Sequence, residues 1–305
     1  MPLGPVRSAP PNLASLRTRV GNIGKERSGG RPSPLLPHQL ERTIALVVLG
    51  QILRQCKAGA DAPALAAVKG GTAMRLRFGP DGSRFSKDFD IARHSTLDEF
   101  TKAFGQELAV GWGGFTGELV PSRSVSRPVG VPTAYVMASY NVRLRYKGPR
   151  SPFMTVVLEV GADELEDTVE TQPLLDQDVI ELFALLGLPT PNPVHVVRDD
   201  HQIAQKLHAV SGEGSERAHD LIDLQLLEPS CTLTDAEVLD TCQRLFRFRN
   251  AQTWPPTIVR GEAWDTLYAA QVGDLAVIDT VADAIVWANG YVARLVSASP
   301  APTEP

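Results

Sequence analysis

The chain has 305 residues, 43% of them hydrophobic and 21% charged, with a net charge of −5. That is enough apolar material for a sizeable core in one large or two packed domains, and it excludes a wholly disordered chain or one that binds nucleic acid by general basic attraction. Cys56, Cys231 and Cys242 are too few and too scattered for a disulfide framework or a zinc knuckle, and no apolar run approaches the roughly 20 residues of a membrane span, so the expected location is the cytoplasm with no membrane contact.

Residues 1–35 are rich in Pro, Gly, Ser and Arg and carry six basic residues against Glu26 alone, a net of +5 that leaves −10 for the rest. This composition predicts a flexible basic arm, one that touches RNA or a protein partner or is simply a disordered tail. From His38 to Cys56, Leu40, Ile44, Val47, Val48 and Ile52 recur at three- and four-residue intervals and predict an amphipathic helix. A short buried strand is expected over Leu65–Val68, then a Gly70-Gly71 turn, a helix over Thr72–Phe78, a Gly-Pro-Asp-Gly turn, and a strand over Phe85–Ile91.

That block carries the chemistry. Side chains alternate along a strand, so Asp88 and Asp90 point to one face and can share a divalent cation. Gly70 and Gly71 lack a Cβ, so a polyphosphate could lie against their backbone N–H groups with the Thr72 hydroxyl beside it. Arg84, Ser86 and Lys87 sit where a triphosphate needs cationic and hydroxyl partners, although Arg84 and Lys87 could equally form surface ion pairs. With oxygen donors alone in the cluster, Mg²⁺ is the fitting metal.

Further on, Leu97–Leu108 reads as a helix, residues 111–131 as a loop or irregular hairpin, and residues 134–146 as a strand with Arg143 and Arg145 on one face. Phe153–Val160 is strongly β-prone with Glu159 inside it. A carboxylate in a central strand must pair with a cation or lie at the accessible end. Residues 163–170 read as a solvated acidic stretch, and the prolines of Pro189–Pro193 as a boundary. The resulting plan is a catalytic domain over residues 36–190, a helical domain over 191–297 and a disordered tail over 298–305.

The helical domain opens with D-D-H-Q-I-A-Q-K-L-H-A-V, in which Lys206 lies next to the stripe of Ile203, Leu207 and Val210. A second helix, with Ser215 as its expected N-cap, stacks Arg217, Asp220 and Asp223 or Leu224 at three- and four-residue spacing. Arg244, Arg247 and Arg249 around Phe246 and Phe248 suggest either a basic face for RNA phosphates or a solvated helix end.

K-G-G-T-A-M-R-L-R with R-F-S-K-D-F-D, followed by Lys206 and R-A-H-D-L-I-D, resembles the AbiEii-type nucleotidyltransferases, toxins of type IV toxin–antitoxin pairs in bacterial phage defence. The resemblance extends over about 36–287. The family's first motif is often Gly-Ser followed by two spaced acids; here Gly70-Gly71-Thr72 takes its place. The resemblance implies an α+β fold, a nucleotidyltransferase-like mixed β-sheet core with flanking helices, followed by a helical C-terminal domain that completes the active site. It implies Mg²⁺-dependent transfer of NMP from an NTP to an acceptor hydroxyl, with the tRNA 3′ end as acceptor, arrest of translation and growth, and a cognate antitoxin encoded nearby. Carried over residue by residue, Glu159 becomes the third metal carboxylate beside Asp88 and Asp90. Lys206 becomes the cation for the triphosphate, Asp220 acts on the acceptor hydroxyl or positions a partner that does, and Asp223 supports it. His219 stands where relatives often have Lys or Arg, and the resemblance makes Ser86 a candidate nucleotide contact whose counterpart in some relatives is a target of inhibitory phosphorylation. Two other readings are a nucleotidyltransferase acting on a small molecule or protein hydroxyl, and a catalytically silent RNA- or antitoxin-binding module.

Overall fold

The computed structural model describes residues 7–27, 35–59, 62–79, 81–122, 137–148, 152–165 and 171–298. The chain forms two compact units: Met1–Pro80, Phe85–Asp163 and Thr168–Val196 make one, and Asp81–Arg84, Glu164–Asp167 and Val197–Pro305 make the other.

The first unit is built on seven strands: β1 (Ala66–Lys69), β2 (Asp88–Arg93), β3 (Phe115–Pro121), β4 (Ala138–Tyr146), β5 (Met154–Ala162), β6 (Gln172–Leu174) and β7 (Val194–Val196). They form one mixed sheet in the order β3-β4-β5-β2-β1-β7-β6. β2 runs parallel to β5 and β1 parallel to β7, while the remaining pairs are antiparallel. Because β7 joins this sheet, the first unit runs to Val196. A proline cluster marks the approach to the boundary, but strand pairing sets it.

Alternation organises the sheet. Phe89, Ile91, Val156, Leu158 and Val160 are buried on one face, whereas Asp88, Asp90, Val157 and Glu159 are only partly buried on the other. The apolar face is covered by side chains of α1 (Leu13–Arg27), α2 (Leu35–Gln55), α4 (Leu97–Val110) and α5 (Gln177–Leu186), all within a single core. α4 starts with a capping box between Thr96 and Glu99, and α5 is capped by Asp176 and ends at left-handed Gly187. α2 departs from the amphipathic expectation: from Arg42 to Leu53 every residue is buried.

The flexible-arm expectation is corrected over residues 13–27. Leu16, Val20 and Ile23 of α1 are buried in the core, Arg19 donates to the carbonyls of Ser8 and Leu186 at 2.7 Å each, and the Tyr146 hydroxyl donates to Pro10 O at 2.8 Å. Burying such side chains is worth about 1.5–3 kcal/mol each, which outweighs the local bias toward disorder. Residues 1–6 and 28–34 of that arm lie outside the described residues, as do residues 123–136 of the expected hairpin and strand and 299–305 of the expected tail. β3 falls where a loop or irregular hairpin was expected, pairing with β4 so that Glu118 meets both Arg143 and Arg145.

The second unit is helical: α6 (Asp199–Val210), α7 (His219–Leu227), a 3₁₀ turn over Glu228–Ser230, α8 (Asp235–Arg249), α9 (Trp264–Val272) and α10 (Val281–Ser297). Its core holds Leu207, Leu221, Leu224, Leu245, Phe246, Trp264, Tyr268 and Leu295. Glu164, expected in a solvated acidic stretch, is held by Arg249 through two hydrogen bonds of 2.8 Å. That pairing and the burial of Phe246 remove Arg249 and Phe246 from the expected basic face, while Arg247 and Phe248 are exposed at the helix end. Among the described residues no helix is long and apolar enough to cross a membrane, and Cys56 and Cys242 are buried.

Candidate active site

The chain leaves β1 directly into α3 (Gly70–Phe78), and this junction faces the carboxylates of β2. Strand register aligns Lys69 with Asp90 and Asp90 with Glu159, and directly opposed residues share a face, so a cation and two carboxylates form a row across β1, β2 and β5. Asp88 follows on the same face two residues earlier. Gly70 has φ +62°, and a Cβ there would lie 2.2 Å from Asp90 Oδ2. Gly161 plays a similar part on β5, since a Cβ would lie 2.7 Å from Lys69 Nζ. Both glycines therefore make room for charged side chains.

Glu159 records the crowding. Burial, the Asp90 and Asp88 charges and a hydrogen bond with Asp90 push its carboxyl up to about 7, against a smaller opposing pull from Lys69. Among the described residues no three His, Cys, Asp or Glu side chains are arranged to hold a metal ion. The donor set nevertheless suits one, because crowded carboxylates that disfavour each other's ionisation are what a divalent cation relieves.

The N-terminus of α3 has no side-chain cap, so its first N–H groups suit an anion. Thr72 is fully buried, and its hydroxyl donates to the Asp88 carbonyl at 2.8 Å, tying α3 to β2. Ser86 is buried and its hydroxyl donates to the same carbonyl at 3.4 Å, while Lys87 is exposed.

Arg84 forms an ion pair, one of the two roles its position allowed. It belongs to the second unit, where it holds Asp223 in a two-pronged contact at 2.9 and 2.8 Å. Lys206, on α6, donates to Asp220 at 3.1 Å and to Asp223 at 2.5 Å, and Arg217 holds the other Asp220 oxygen at 2.8 Å. Both aspartates are fully buried. Burial alone would raise them, but Lys206 with Arg217 at Asp220, and Lys206 with Arg84 at Asp223, hold both below the usual carboxylate range. Burial pushes His219 down to about 4, which leaves it neutral near pH 7. The cluster thus sets Lys206, Arg84 and Arg217 against two carboxylates. Lys206 is not a snorkelling surface lysine but the centre of a buried ion network.

The expected Ser215 cap is corrected too. α7 begins at His219, and the Ser215 hydroxyl instead donates to Ala209 O and accepts from the Arg217 N–H, bracing the preceding turn. Sequence reasoning also passed over Lys69 and Arg42. Lys69 carried a signal, since it immediately precedes Gly70-Gly71; Arg42 is a cation within an apolar helical run.

A mixed sheet that presents carboxylates from two parallel neighbours beside a strand–glycine–helix junction, with helices on its apolar face, is a nucleotidyltransferase scaffold. Residues 51–285 match the family model described as Nucleotidyl transferase AbiEii toxin, Type IV TA system, and the chain belongs to that family. Among solved structures it is similar to MenT4, a nucleotidyltransferase toxin from Mycobacterium tuberculosis, with TM-score 0.51 and 19% identity over 90% of this chain and 98% of that one. At that identity the likeness speaks for the fold. No curated protein sequence matches the chain.

Proposed function

We infer that the chain transfers a nucleoside monophosphate from an NTP to a hydroxyl at the 3′ end of tRNA in the cytoplasm, blocking aminoacylation and arresting growth until a cognate antitoxin intervenes. The observation that carries this reading is the row of Asp90 and Glu159 on one sheet face, with Asp88 beside them and Gly70 against Asp90. In the reaction the acceptor oxygen forms a bond to the α-phosphorus, the bridging bond to the β-phosphate breaks, pyrophosphate leaves and the hydroxyl proton passes to solvent.

Asp88, Asp90 and Glu159 would hold Mg²⁺, which would supply Lewis-acid polarisation of the α-phosphoryl group and lower the acceptor's pKa. The N–H groups that open α3 at Gly70 and Gly71 take the phosphates. By family resemblance Lys206 is the cation for the triphosphate. Asp220, held below the usual carboxylate range by Lys206 and Arg217, is a poor proton acceptor, which favours a positioning role.

The test is incubation with each labelled NTP in turn, Mg²⁺ and total RNA, followed by gel separation. Label at tRNA 3′ ends supports the reading. Label confined to small metabolites or protein replaces the acceptor, and no transfer with any NTP removes the enzymatic reading altogether.

A further inference from the structure

Arg42 is a buried residue of α2, and no part of the reaction above uses it. It is 6% exposed, and its Nε and Nη2 are buried with no hydrogen-bond partner. Such a guanidinium is expensive, because each buried N–H without an acceptor forfeits its hydration. The carboxylate that acts on it electrostatically is Asp88. Its neighbour Thr43 accepts a hydrogen bond from Arg75 Nε at 3.1 Å and shares a small cavity wall with Thr72, whose hydroxyl is bound to the Asp88 carbonyl. Thr43, the residue beside Arg42, therefore meets the first turn of α3 and the first residue of β2 at one corner of the sheet, where the uncapped α3 N-terminus already favours an anion.

We propose that Arg42 is a phosphate-binding residue of the nucleotide site, its guanidinium completed by an oxygen of the NTP phosphate chain or of the departing pyrophosphate. The assignment rests on the nucleotidyltransferase reading above. A planar fork with open N–H donors suits a phosphate oxygen pair better than it suits a single metal-bound carboxylate. The cost carried by the free protein is recovered when the phosphate arrives, so affinity and stability respond to Arg42 in opposite directions.

The experiment compares wild type, Arg42→Met and Arg42→Lys for thermal stability without ligand, for KM and kcat with each of the four NTPs, and for affinity toward inorganic pyrophosphate. The expected result is that Arg42→Met keeps or raises the ligand-free Tm, while KM for NTP and the pyrophosphate dissociation constant rise about 10-fold or more, as loss of a charged hydrogen bond of about 1.5–3 kcal/mol dictates. Arg42→Lys recovers part of that affinity. Unchanged KM and pyrophosphate affinity in a folded Arg42→Met chain overturns the proposal while leaving the enzymatic reading intact, and so does a lowered Tm with unchanged affinity, which marks a purely structural arginine. A wild-type chain that neither transfers nucleotide nor binds any NTP or pyrophosphate overturns both.

Discussion

Gly70 and Asp90 occupy one space: the glycine's missing Cβ leaves the position that Asp90 Oδ2 approaches to 2.2 Å, on a residue whose φ of +62° already disfavours any side chain. Gly70→Ala therefore meets two penalties. Left-handed backbone costs a non-glycine residue about 1–2 kcal/mol, and the displaced carboxylate leaves its row beside Glu159. Urea unfolding should show a loss of at least that size, and nucleotide transfer should fall far more than the fraction unfolded explains. An alanine variant with undiminished transfer would separate Asp90 from the chemistry.

Glu159 gives the metal-free protein a pH dependence. Its carboxyl is pushed from 4.5 up to about 7, so the folded state binds a proton more tightly than the unfolded state does. The linkage favours folding at low pH and is lost as pH rises from about 4.5 through about 7. With EDTA present, wild type should lose stability over that window, and Glu159→Gln should flatten the slope. Adding Mg²⁺ at pH 7.5 should raise the Tm of wild type more than that of the Gln variant. Identical slopes in both chains would contradict the crowding.

Lys206 neutralises two buried carboxylates at once. Lys206→Met leaves Asp220 and Asp223 with the guanidiniums of Arg217 and Arg84 but without the shared ammonium. Breaking a buried pair in this way costs about 3–5 kcal/mol. The double variant Lys206→Met with Asp220→Asn should recover part of it in a denaturant titration. The same network predicts acid lability: the two aspartates stabilise the fold above the unfolded carboxylate value of 3.8 and lose that contribution as pH falls through their depressed values.

Leu16 tests the N-terminal segment. It is fully buried among α2, α5 and the sheet, so Leu16→Ala should destabilise the chain by about 2–5 kcal/mol. A mobile arm would give a change near zero.

What was legible in the sequence follows from the range of the interactions. Asp88 and Asp90 could be placed on one face because alternation is a local rule, and the burial of Phe89 and Ile91 on the other face obeys it, whereas Glu159 joined them only through the family resemblance. α1 was readable but outweighed: Leu13, Leu16, Val20 and Ile23 keep helical spacing inside a composition biased toward disorder. β6 and β7 have three residues each, too few to show any period, and exist through pairing partners distant in the chain. Arg84 joins Asp223 across 139 positions, so nothing near it announces that its guanidinium is committed. Arg42 went unnoticed because the burial of α2 on all sides is a property of the assembled core and not of its apolar spacing.

The central claim is that the paired carboxylates of β2 and β5 are the catalytic centre, and the most direct measurement is labelled-nucleotide transfer by wild type, Asp88→Asn, Asp90→Asn and Glu159→Gln chains of matched folded fraction. Transfer in wild type, falling by at least about 100-fold in each aspartate variant while the Tm is retained, is the predicted result. Undiminished transfer in folded Asp88→Asn and Asp90→Asn would contradict it.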